Sequence, residues 1–163
     1  MNREPGSVAI RQATTPADVA LARALFVEYA TWLNVDLCFQ GFDRELATLP
    51  GAYAPPGGRL LLVGAPAEAF GCIALRALES EGLPTGEVKR LFVQPTARNG
   101  GWGHRLVDTL IAEARAIGYR ELKLDTLGWM AEARSLYERA GFRACAPYYA
   151  NPLPGVVYMA LTL

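Results

Sequence analysis

Gly100, Gly101 and Gly103 stand between an apolar run that ends at Val93 and a helical repeat that begins at Leu106. Glycine leaves backbone N–H groups free to turn toward an anion, and a helix N-terminus adds partial positive charge. Arg98, His104 and Arg105 flank the glycines with cationic or proton-donating groups. The segment therefore reads as a cradle for a pyrophosphate. A tight strand-to-helix turn with no ligand is the plainer reading of the same glycines. The spacing is neither Gly-x-x-x-x-Gly-Lys-Ser/Thr nor a Gly-x-Gly-x-x-Gly opening a dinucleotide unit near the N-terminus.

Other chemistries are restricted by what the chain lacks. His104 is the sole histidine, so a zinc or other His-rich metal site is not expected, and one imidazole would have to serve every Cys-His or Ser-His pairing. Cys38, Cys72 and Cys145 are odd in number and far apart, which favours reduced thiols in a cytoplasmic protein over a disulfide framework. With its activating partner spent in the loop, Cys38 reads as a structural thiol. Lys plus Arg equals Asp plus Glu at 16 each, so the basic excess of a protein that grips nucleic-acid phosphates is missing. Residues 1–7 hold no apolar leader, and no apolar run has membrane-spanning length, so no membrane partner is expected.

The elements that must position this chemistry are readable from periodicity. Val8 to Ala13 alternates as a strand, and Thr15-Pro16-Ala17-Asp18 is a helix start. Leu21, Leu25, Tyr29 and Trp32 follow as a helical stripe, with Trp32 read as core. A short helix over Phe42 to Leu49 precedes strands at Arg59 to Val63, Ala69 to Leu78 and Glu87 to Val93. After the glycines, Leu106, Leu110, Ala114 and Ile117 share a helix face that Gly118 closes. Glu121 to Asp125 is a strand, Met130 to Ala140 a helix stopped by Gly141, and the tail holds two further strands, the last over Val156 to Leu163. The order β-α-α-β-β-β-α-β-α-β-β predicts an α/β fold, a mixed central sheet of six to seven strands with four helices.

Two stretches together resemble the signatures of the GNAT superfamily of N-acetyltransferases. Arg98-x-x-Gly101-x-Gly103 is similar to that family's Arg/Gln-x-x-Gly-x-Gly/Ala, and Ala133-x-x-Leu136-Tyr137-x-x-x-Gly141-Phe142 to its second pattern. The resemblance implies one acyl-CoA N-acyltransferase domain over residues 1–163 that moves the acetyl group of acetyl-CoA to an amine, with no metal. Coenzyme A would lie between the Glu87–Val93 and Glu121–Asp125 strands. Its pantetheine arm would pair with the main chain of Leu91, Phe92 and Val93. Its pyrophosphate would rest on Arg98, Asn99, Gly100, Gly101, Trp102, Gly103 and His104, with Arg105 beside it. Tyr137 would be the acid for the departing thiolate, or else a core aromatic. Glu87 matches the catalytic glutamate of histone-type members by standing six residues before Val93 and eleven before Arg98. It would act as base through water, unless it is a strand glutamate paired with Lys89 or Arg90. One departure is Met130, where the family often has Asn.

The resemblance also implies that the first two helices and the last strand pair wall the acceptor site. Tyr29, Trp32, Asp36, Cys38, Phe39 and Gln40 lie in the first region, and Tyr148, Tyr149 and Asn151 in the second. Aromatics with a few polar tips suit a small, partly apolar amine, and Asp36 could attract its charge. A protein N-terminus or lysine remains as acceptor, as does a non-catalytic acyl-CoA-binding module. Val156 to Leu163, apolar on both faces, reads as a covered strand, with a homodimer contact as one use of it.

Overall fold

The computed structural model describes residues 6–163, the side chain of Phe39 excepted. Seven strands and four helices follow the expected order: β1 (Ala9–Gln12), α1 (Pro16–Leu33), α2 (Phe42–Thr48), β2 (Arg59–Gly64), β3 (Gly71–Leu78), β4 (Thr85–Val93), α3 (Trp102–Ile117), β5 (Glu121–Leu127), α4 (Ala131–Arg139), β6 (Arg143–Ala144) and β7 (Val156–Thr162). One sheet runs β1-β2-β3-β4-β5-β7-β6. All neighbours are antiparallel except β4 and β5.

The strands are apolar on both faces because both faces are covered. Leu60, Leu62, Cys72, Ala74 and Phe92 point to a layer made by α1 and α2, where Leu25, Phe26 and Phe42 are buried. Their sequence neighbours Leu61, Val63, Ile73 and Leu75 point the other way, onto Leu106, Leu110 and Ala114 of α3 and Tyr137 of α4. The period-2 alternation of each strand thus divides one apolar run between two layers.

The helix ends obey local chemistry. The Thr15 hydroxyl accepts from the Asp18 N–H at 3.1 Å and Pro16 enters the first turn of α1. Gly118 ends α3 at φ 112, where its N–H returns to Ala114 and Arg115.

One expectation is corrected. The buried face of α1 is Ala22, Leu25, Phe26 and Leu33, not the stripe through Trp32, which is 39% exposed. Nearly every side of α1 is apolar, so periodicity alone could not fix which face turns inward. Cys38, read as a structural thiol, is exposed on a short turn of 3₁₀ helix, whereas Cys72 is buried. At the far end of the sheet β7 is paired with β5 along its whole length, while β6 covers its other edge only at Ala160 and Met159. Among the described residues no helix is long and apolar enough to cross a membrane.

Candidate active site

The site begins at a defect in the sheet. Cys72 pairs with Phe92 but Ala74 pairs with Lys89, so Arg90 and Leu91 together oppose Ile73. This is a β-bulge, and Arg90 takes the left-handed conformation at φ 60 that such a bulge needs. A non-glycine residue resists that conformation, so side-chain contacts must hold it. The buried Arg90 guanidinium supplies them: Nε and Nη2 reach the two Glu45 carboxylate oxygens at 2.9 and 3.1 Å, and Nη1 reaches Gln40 Oε1 at 2.9 Å. Past the bend β4 leaves its parallel neighbour. The β4–β5 ladder stops after Thr85, Gly86 and Glu87 pair with Glu121, Leu122 and Lys123. From Val88 onward the two strands diverge, and their facing main-chain groups have no ladder partner.

A groove of about 940 Å³ opens along this splay toward the N-terminus of α3. Leu91 to Val93 and Ala97 to His104 border it, except that Gly100 does not. Gly101 is the N-cap of α3 at φ 75, and a Cβ there would meet nothing within 4 Å. The conformation, not space, calls for glycine, and the turn aims the free N–H groups of the helix start outward. Gly103 answers a different need. A Cβ there would stand 2.8 Å from Leu136 Cδ1, so its absence lets α3 and α4 approach closely. A helix N-terminus open to a groove fits a diphosphate, and the open edge of β4 fits an extended amide chain.

The flanking cations divide. Arg98 borders the groove, donates from Nε to the Val93 carbonyl at 2.9 Å, and lies 4.7 Å from the centre of the Trp32 ring. Arg105 stands outside the groove, over the Trp102 ring at 4.2 Å. Trp32 is therefore a wall of the groove and a platform for Arg98. Trp129, beside Trp32, and Glu132 and Ser135 also border it, none of them expected there, and so does Met130, the position where the family often has Asn.

At its inner end the groove meets a second, narrower cavity, and Leu91, Met130 and Ala133 border both. The cavity holds about 50 Å³, room for a few waters. Tyr137 lines it from α4 and Tyr29 from α1. Burial pushes the Tyr29 phenol up to about 12 and the Tyr137 phenol well above its ordinary range. Both therefore hold their protons at neutral pH. Tyr137 is only 7% exposed, and its hydroxyl makes no hydrogen bond among the described residues. Met130 sits at the junction, its sulfur 3.7 Å from the Thr126 hydroxyl.

Polar groups cross the cavity in one connected chain. Gln40 Oε1 accepts from Lys89 Nζ at 3.3 Å as well as from Arg90. Gln40 Nε2 donates to the Tyr149 hydroxyl at 3.2 Å, and that hydroxyl donates to Asp125 Oδ2. Asn151 Nδ2 donates to the same Asp125 oxygen at 2.8 Å. Burial is the main reason the Lys89 ammonium is pushed below its ordinary value, against the attraction of Glu87.

Glu87 lies on β4 just before the splay and is 1% exposed. Arg76 Nε reaches one oxygen at 2.7 Å, and the Tyr148 hydroxyl donates to the other at 2.6 Å. Burial, reinforced by the Glu87 charge, pushes the Tyr148 phenol well above its ordinary range. Glu87 and Tyr148 do not border the cavity; Lys89, two residues along the same strand face, does. Asp36 is turned away as well, accepting from the Cys38 N–H at 2.8 Å, and its carboxylate pushes the Cys38 thiol up. A raised thiol is a poor nucleophile. The expected contact at Phe39 lies outside the described residues.

The residues that sequence reasoning passed over are Lys89, Arg90 and Asp125 as cavity groups. A signal was present, since Glu87, Lys89 and Arg90 are three charges inside a strand whose neighbours are apolar. Charges at that depth require partners or a ligand.

An α/β sheet opened between its two parallel strands, with a glycine-capped helix start at the mouth, defines an acyl-CoA-dependent acyltransferase architecture. The Acetyltransferase (GNAT) family pattern matches residues 26–142. An uncharacterized N-acetyltransferase of Schizosaccharomyces pombe is 36% identical over 161 residues, covering 98% of each chain. A GNAT-family acetyltransferase of Staphylococcus aureus superposes with a TM-score of 0.77 at 18% identity over 96% of this chain and 99% of its own. One from Elizabethkingia anophelis, solved with acetyl-CoA bound, gives 0.61 at 21% identity over 99% and 100%. The chain belongs to the GNAT acetyltransferase family. It is an acetyltransferase.

Proposed function

We propose that the protein transfers the acetyl group of acetyl-CoA to the primary amine of a small molecule by direct attack. The observation that carries this is the meeting of groove and cavity at Leu91, Met130 and Ala133, with the Tyr137 hydroxyl on the cavity side. A thioester laid along the open β4 edge ends where an amine in the cavity would meet it. The narrowness of the cavity supports a small acceptor over a peptide.

The protons balance as follows. The ammonium must lose one proton before the nitrogen attacks, since alkylamines are mostly protonated at neutral pH. We assign that task to Glu87, acting through water, with the Tyr148 hydroxyl donating to one of its oxygens. As the C–N bond forms and the C–S bond breaks, Tyr137 donates to the thiolate sulfur and recovers a proton from the new amide nitrogen by way of solvent. The burial that keeps the phenol protonated also penalises a bare thiolate beside it. Main-chain N–H groups at the splay offer donors to the thioester oxygen as charge builds on it.

Predominantly reduced thiols agree with a cytoplasmic setting, and the barely covered outer edge of β7 agrees with a homodimer. The test is thiol release from acetyl-CoA over a panel of amino acids, polyamines, aminoglycosides and peptides, with calorimetry against coenzyme A. Release with small amines is expected; absence of release with every amine would overturn the reading, whether or not coenzyme A gives heat.

A further inference from the structure

The charges around the cavity do not cancel in place. Arg90 is satisfied by Glu45, and Glu87 by Arg76. That leaves Lys89 and Asp125 facing the same space without a counter-ion. Lys89 is 7% exposed, and among the described residues no carboxylate comes within 4.0 Å of Nζ; its one partner is Gln40 Oε1 at 3.3 Å, an oxygen already engaged by Arg90. Asp125 receives neutral donors only, from Tyr149 and Asn151. A buried ammonium without an anion is costly, and a protein that keeps one in a cavity gains when a ligand brings the anion.

Resting on the acetyl-transfer reading, we infer that the acceptor is a zwitterion, an amine that also carries a carboxylate, whose carboxylate pairs with Lys89 Nζ while Asp125 draws in the ammonium. Lys89 is on β4 and Asp125 on β5, so the two strands that part to admit the thioester each present one charge to the acceptor. Such a molecule restores neutrality at both strands. A simple alkylamine would leave Lys89 unpaired and add a second cation beside it. A polyamine would be worse. Gln40 and Tyr149 join the two ends of the site by hydrogen bonds and hold their spacing, which makes the distance from amine to carboxylate a property the enzyme reads.

The experiment compares α-, β- and γ-amino acids with their carboxamides and with the corresponding decarboxylated amines, by kcat/KM, in the wild type and in Lys89→Met. The wild type should favour one acid over its carboxamide by roughly thirtyfold or more, the usual loss when one partner of a buried charge pair is removed. In Lys89→Met the ratio should collapse toward one, mostly through KM, while affinity for coenzyme A, whose proposed groove Lys89 does not border, verifies the fold. Equal use of acids and carboxamides by the wild type would overturn the inference. So would a preference that survives in Lys89→Met, or turnover confined to amines without a carboxylate. If no amine of any kind turns over while coenzyme A binds, both this inference and the acetyl-transfer reading fall; if only polyamines or peptides turn over, the inference falls alone.

Discussion

In the proposed mechanism Tyr137 is the residue on which the chemistry rests. Its hydroxyl makes no hydrogen bond among the described residues, burial keeps it protonated, and its ring lines the cavity just inside the junction with the groove. Replacing it by Phe keeps the ring that packs against Phe142 at 5.7 Å and removes only the acid. kcat should fall by about 10²–10⁴-fold, with coenzyme A affinity within about twofold; an unchanged kcat would return Tyr137 to the core. Glu87→Gln keeps an acceptor oxygen for Arg76, places an amide NH2 that can donate to the Tyr148 oxygen, and deletes the charge. It should slow acetylation at neutral pH and leave coenzyme A affinity intact, and equal rates for the two proteins across the pH range would remove Glu87 from the mechanism. Lys89 makes a prediction about stability. Its folded pKa lies below the unfolded value of 10.5, so between the two values the unfolded chain binds more protons and stability rises with pH. Below that window the penalty is present in full. Lys89→Met should therefore melt higher than the wild type at pH 7, and the gap should narrow as the pH is raised toward 10.5. A lower melting temperature at pH 7 would mean that Lys89 is stabilised by a contact the cavity geometry does not contain.

At the scale of elements, the sheet opens because one strand is bent and then held bent. The Arg90–Glu45 pair ties β4 to α2, and the Tyr53 hydroxyl donates to the same carboxylate at 2.8 Å. Glu45→Ala would leave a guanidinium that is 3% exposed with Gln40 alone. Loss of one member of a buried pair costs about 3–5 kcal/mol, and denaturant unfolding should show a loss of that size; a loss below about 1 kcal/mol would mean that α2 can move aside and admit water. Much of the element scale was legible in advance. The Thr15–Pro16 start, the Gly118 stop and the alternation of β2 each encode their structure within a few residues. What stayed hidden was non-local. No local pattern in Glu87-Val88-Lys89-Arg90 announces a bulge, because its cause is a carboxylate forty-five positions away on α2. Trp32 was misread for a related reason: its helix is apolar all round, and only the arrival of Arg98 and Trp129 decides that it stands at the groove. The glycine loop and Tyr137 were recognisable because their pattern is short. Lys89 and Asp125 were not, because they become a pair only when two strands part.

For the molecule as a whole, the splay divides the sheet into β1–β4 and β5–β7, joined directly by three residue pairs and backed by α3. The half-sheets must keep their separation without a β4–β5 ladder between Val88 and Val93, so the facing edges are interior backbone left without a strand partner. A coenzyme that adds itself to the β4 edge, rests on the α3 N-terminus and lies against α4, which follows β5, touches both halves and supplies the missing partner. At a hundred times its dissociation constant it should stabilise the fold by about 2.7 kcal/mol, a rise in melting temperature of about 5–10 °C for a chain of this size. The distribution of that gain is the sharper test. Amide hydrogen exchange should slow first and most at the cleft-facing N–H groups of Val88–Val93 and at the first turn of α3, with a smaller, uniform gain across β2 and β3. Protection spread evenly over all strands would mean that the ligand stabilises the fold without lying in the cleft. Protection confined to β6 and β7 would place it on the opposite end of the sheet, and the opening between β4 and β5 would then need another purpose.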